Sequence, residues 1–129
     1  MQIRSPGERR APGVEHHQAS AAPLRLPQRG DEGHSWHVFT PLLPLGSLTI
    51  TRQGFIETMR QRGIGVGVHY PAIHTFSAYR ALGYRAGQFP NAERIGRETV
   101  TLPLFPAMQM QDVERVVAAA NAIVRGARR

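Results

Sequence analysis

The chain has 129 residues and a net charge of +7, and it contains no cysteine; all sixteen basic residues are arginine. That composition excludes disulfide staples, thiolate metal sites, a thiol nucleophile and any reaction run through a side-chain amine of its own. The N-terminus has no apolar signal segment and the weakly polar stretch 116–124, broken by Asn121, is too short for a bilayer, so a single-domain, soluble, cytoplasmic protein is expected.

Residues 1 to about 30 are rich in Pro, Gly, Ala and Arg without apolar periodicity, and they predict a disordered segment with an extended lead-in near Leu24–Pro27. The folded domain is expected over 31–129. Ser35–Thr40 reads as a strand, with Trp36 and Val38 on one face and His37 and Phe39 on the other. Thr51 is a candidate N-cap for a helix whose apolar stripe is Phe55, Ile56 and Met59, stopped at Gly63. A strand follows over 64–68, then a short helix from Phe76 to Leu82 and a helix from Pro90 to about Glu98. Val100–Leu104 reads as a third strand. Val113, Val116, Val117, Ala120 and Ile123 mark a closing amphipathic helix, about 111–124, stopped by Gly126. The order predicts an α/β fold: a two-layer small domain of about three strands with helices packed on the sheet.

The most informative stretch runs from Gly63 to His74. Ile64, Val66 and Val68 alternate with Gly65 and Gly67, which leaves one strand face without side chains. A neighbouring backbone or a ligand can approach such a face closely. His69 falls on it, and Tyr70-Pro71 turns the chain toward His74. Two uses of this pattern stay open on spacing alone: room for a packed helix with ordinary surface histidines, or a loop built to meet a ligand.

Other motifs carry less. Gly63-x-Gly65-x-Gly67 is no dinucleotide fingerprint, because it follows a helix and enters a strand where that fingerprint needs the reverse. His34 and His37, like His69 and His74, lack the nearby acids to complete a metal set, apart from Asp31 and Glu32; no metal site is expected. His16 and His17 fall in the segment expected to be disordered. No Gly-x-Ser-x-Gly elbow and no glycosidase carboxylate pair is present. The arginines are interleaved with acids, as in Glu93-Arg94 and Glu114-Arg115, which suits a solvated surface better than a nucleic-acid face.

His34-Ser-Trp-His-Val-Phe39, Arg62 to Thr75, Tyr79-Arg80, Phe89-Pro-Asn-Ala-Glu-Arg94, Leu102-Pro-Leu-Phe-Pro106 and Asp112 to Val116 together resemble a known pattern. It is that of the small C-terminal domain of the DegT/StrS sugar-nucleotide aminotransferases. The resemblance covers roughly residues 23–125 in family order, and residues 1 to about 20 match none of it. It looks closest to the branch that makes 4-amino-4-deoxy-L-arabinose on a UDP carrier. The resemblance implies pyridoxal phosphate chemistry, with glutamate as amino donor and a keto-sugar nucleotide as acceptor. It places the Schiff-base lysine and the cofactor contacts in a large N-terminal domain, and it makes His69, Tyr70 and His74 the candidates for substrate binding. With no lysine, this chain holds no catalytic or cofactor-binding residue by that carry-over and is expected to be inactive alone. Its expected partners are the sugar-nucleotide substrate and a large-domain chain or homodimer mate. The competing expectations are a non-catalytic binding or regulatory module that docks on a full-length relative and, last, an arginine-rich nucleic-acid binder.

Overall fold

The computed structural model describes residues 24–28, 30–31 and 33–129. Helix α1 spans Arg52–Gln61, α2 Ser77–Ala81, α3 Pro90–Glu98 and α4 Met110–Gly126, with single 3-10 turns at Leu45–Ser47 and Ile73–Thr75. The expectation of disorder for residues 1 to about 30 falls largely outside the described residues. Within them, Leu24 is buried and Arg25 pairs with Leu42 through both backbone bonds, each 2.9 Å.

The helices form where local chemistry asks for them. Thr51 Oγ1 accepts the Gly54 amide at 3.1 Å and caps α1. Gly63, at φ 70°, takes the left-handed conformation that ends α1, and the Arg115 guanidinium donates to the Arg62 carbonyl there at 2.7 Å. A proline opens α3, where the missing amide costs nothing. At the start of α4 the Gln109 amide donates to Asp112 at 3.0 Å as half of a capping box. That helix runs on through Gly126 rather than stopping at Val124.

The expected three-strand sheet is reduced to isolated bridges. Among the described residues there is no continuous strand; antiparallel bridges join Arg25 to Leu42, Leu42 to Thr99, Phe39 to Leu102 and Gly67 to Thr101. The spatial order is therefore 24–26, 39–42, 99–102 and 64–68, with Leu48 bridged separately to Arg128. Prolines at 41 and 103 remove ladder donors, and Gly65 and Gly67 offer no side chains to pack, so pairing is made one bridge at a time. The strand expected over 35–40 contributes only Phe39. Trp36 instead stands edge-on to His34 and Phe39, at 4.5 and 5.7 Å between ring centres, and remains 39% exposed.

The core lies where α1 and α4 meet these segments. Leu43, Phe55, Met59, Val100 and Val124 are completely buried, and Ile64, Leu102, Ala120 and Ile123 nearly so. The Arg62 guanidinium reaches the Ala119 carbonyl at 3.3 Å, so α1 and α4 are tied by polar bonds as well as by packing. At its far end α3 joins this core through the Leu43 amide, which donates to the Glu98 carbonyl at 2.9 Å.

Candidate functional site

The glycine-alternating segment starts in the core at Ile64 and leaves it at His69. Its bare face is covered by the chain itself at Gly67 and stays open at Gly65. The His69 ring folds back over Gly67, where a Cβ would lie 3.2 Å from Cε1, and its Nδ1 meets Thr101 Oγ1 at 2.8 Å. At Gly67 the space is thus taken by a side chain two residues on, and not by the neighbouring backbone or ligand that the sequence reading allows.

After His69 the chain turns through Tyr70-Pro71 into the 3-10 turn Ile73–Thr75; the His69–Tyr70 peptide is cis. This loop is seated on α3 at two points. A Cβ on Gly96 would stand 2.5 Å from the Ala72 nitrogen, so only glycine allows α3 to come this close. Three residues earlier on α3, Glu93 Oε1 lies 2.9 Å from His74 Nε2. The same carboxylate oxygen accepts the Gly87 amide at 2.7 Å. The hydrogen bond from His74, and after it that from Gly87, holds the Glu93 carboxyl below the ordinary carboxylate value. The ionised carboxylate only accepts, which assigns the proton to His74 Nε2. Phe89 stands edge-on to the imidazole at 4.9 Å.

Outside this seat lies an open hollow of about 560 Å³ lined by Tyr70, Ile73, His74, Tyr79, Tyr84 and Phe89. On the other side of Tyr84 a second hollow, of about 710 Å³, is lined by Thr75, Ser77, Arg80 and Arg85 among others. The three residues singled out from sequence therefore fall into one loop with different surroundings. Tyr70 is 70% exposed, His69 is exposed but bonded to Thr101, and His74 is buried against Glu93. Sequence reasoning gave no role to Glu93, Gly96 or Thr101. The one signal available was a glycine inside an amphipathic helix, which marks a close approach.

Nothing here suits the binding of pyridoxal phosphate through a Schiff base, since the chain has no lysine. Among the described residues no three His, Asp or Glu side chains come together as a metal set. No helix among them is long and apolar enough to cross a membrane.

Comparison with known proteins gives a consistent answer. Residues 15–121 match the model of the DegT/DnrJ/EryC1/StrS aminotransferase family, a match that starts earlier than the motifs quoted above. The chain is 39% identical over 92 residues to the uncharacterized protein MJ1066 of Methanocaldococcus jannaschii, covering 70% of this chain and 24% of that protein. It is 34% identical over 100 residues to the spore coat polysaccharide biosynthesis protein SpsC of Bacillus subtilis, covering 75% of this chain and 26% of SpsC. The fold matches that of Streptococcus pneumoniae Spr1654 in its PMP form with a TM-score of 0.74 at 20% identity, over 83% of this chain and 27% of that one. The chain spans about a quarter of the length of the curated relatives it matches. It belongs to the DegT/DnrJ/EryC1/StrS aminotransferase family.

Proposed function

We propose that this chain is the small-domain portion of an aminotransferase that passes an amino group from glutamate to a keto-sugar nucleotide in the cytoplasm, for a cell-envelope or lipopolysaccharide sugar. The observation that carries this reading is the family match over most of a chain that spans a quarter of its relatives and contains no lysine. A large domain on a separate, longer relative supplies the pyridoxal phosphate and its lysine, because a second copy of this lysine-free chain could not. This chain contributes the ligand-facing loop. Tyr70 offers an exposed ring and hydroxyl, and His69 and His74 flank it as further substrate contacts. The two adjoining hollows suit such a ligand: aromatic rings can stack on a base, and Arg80 and Arg85 can meet phosphate oxygens.

A docking role is supported by a specific observation. Ile73, Phe76, Tyr79, Leu82 and Ile95 are all 41% exposed or more around α2 and α3, an apolar side that a partner domain would cover. The nucleic-acid alternative is weakened by where the arginines point. Arg52, Arg62 and Arg115 donate to backbone carbonyls, and Arg94 pairs with Glu98.

Two measurements test the proposal. The purified chain, given pyridoxal phosphate and glutamate, is expected to leave the cofactor spectrum unchanged, and a glutamate half-reaction would overturn the claim that it is inactive alone. Titration of the folded chain with a UDP-sugar is expected to shift the NMR resonances of His69, Tyr70 and His74. No shift anywhere in that loop at millimolar ligand removes the substrate assignment.

A further inference from the structure

The loop and α3 are far apart in sequence, and something must hold them in register. We propose that Glu93 is the positioning residue of the candidate site: one carboxylate oxygen gathers His74 of the loop and Gly87 of the turn before α3, and so fixes how the loop presents Tyr70. The inference rests on the reading of this loop as ligand-facing, but it concerns the free protein and is tested without ligand.

Three segments converge on that oxygen. His74 comes from the 3-10 turn, Gly87 from the turn after α2, and Glu93 itself from the first turn of α3. The His74 and Glu93 side chains are only 8% and 16% exposed, so water competes poorly for their bond. Charge assistance makes such bonds roughly twice as strong as neutral ones. Glu93 and Gly96, three residues apart, share one face of α3. One gives the loop a polar pin and the other a steric rest against Ala72. The far end of the loop is pinned separately by His69 and Thr101. Tyr70 lies between the two pins, its ring edge-on to His69 at 4.8 Å. Releasing the Glu93 pin leaves the loop only the His69–Thr101 bond and the steric rest of Ala72 on Gly96.

The test is amide hydrogen exchange on the full chain carrying Glu93→Ala. The amides of Thr75 and Phe76, which close the 3-10 turn, and of Gly87, which donates to Glu93, are expected to exchange on the order of tenfold faster or more. The amides of Gly67 and Thr101, across the other pin, and of Val124 in the core should be unchanged. The nuclear Overhauser contact between the His69 and Tyr70 rings is expected to weaken, which a loss of overall stability alone would not do selectively. Glu93→Gln keeps the shape and an uncharged acceptor, so it should accelerate the same three amides by a smaller factor, and it carries the test should Glu93→Ala fail to fold. Unchanged exchange at Thr75, Phe76 and Gly87 overturns the proposal. So does a uniform acceleration that includes Val124, because Glu93 would then serve overall stability and not the loop. Failure of the UDP-sugar titration with this exchange pattern intact would count against the substrate reading alone.

Discussion

Helix α1 and helix α2 use their apolar residues in opposite ways. In α1, Phe55, Ile56 and Met59 are all buried against α4 and the bridged segments. In α2 no residue is buried, and Tyr79, together with neighbouring Phe76 and Leu82, keeps at least 41% of its surface in solvent. The first region is held by desolvation, which acts wherever apolar atoms leave water. The loop 69–76 that leads into α2 is held instead by a few directed contacts: a carboxylate on an imidazole, a hydroxyl on an imidazole, and a glycine pressed against a backbone nitrogen. A region kept by so few contacts keeps its shape only while each of them is present. It is also the region whose surface is free to be read by another molecule.

That contrast can be broken from the core side with the largest effect. Phe55→Ala removes a ring with no exposed surface and should cost about 3–5 kcal/mol. For a domain of this size that is a large share of the total, so denaturant titration should show a much lower midpoint, with loop and core lost together. A Phe55→Ala chain as stable as the parent would mean that the two regions do not differ as described.

Gly96→Ala separates the two regions more finely. In an ordinary helix interior the change stabilises by up to about 1 kcal/mol. Here the new methyl meets the Ala72 nitrogen at 2.5 Å, so overpacking should reverse the sign, with a net cost of about 1–3 kcal/mol. Thermal melting reads the sign. NMR shifts confined to residues 70–76 and to α3 would locate the cost on the loop side. A gain in stability would show that α3 and the loop are not in contact there.

The smallest effect is expected from acid. The Glu93 carboxyl titrates below its ordinary value of 4.5 because His74 and the Gly87 amide bond its charged form. A depressed folded-state value means that this contribution is complete above about pH 4.5 and is lost as pH falls through the lower, folded value. Loop amides should therefore lose protection in that acid window before the α1–α4 core does. Loss that sets in between pH 7 and 5 would point to a group other than Glu93.

Much of the local structure was legible in the sequence. The Thr51 cap, the Phe55-Ile56-Met59 stripe, the Gly63 stop and the proline opening α3 depend on neighbours within four residues, and the structure places all four as read. The sheet was less legible. Pro41, Pro103 and the glycines of 64–68 allow pairing only at single bridges, a matter of which donors face which acceptors across the fold. The site was legible in part. His69, Tyr70 and His74 could be picked out because they are close in the chain. Their partners could not, since Glu93 lies 19 residues from His74 and Thr101 lies 32 residues from His69.

The sequence by itself determined the helices and the ends of α1 and α3, the absence of a Schiff-base lysine, and the identity of the loop that carries the histidines. Each depends on residue type or on spacing within a turn or two. Only the tertiary structure decided what those histidines touch, which aromatic rings stay in water, and why position 96 must be glycine. Those outcomes turn on angstrom-scale distances between segments that no local pattern encodes. A hydrogen bond or a steric contact is made or lost within a fraction of an angstrom.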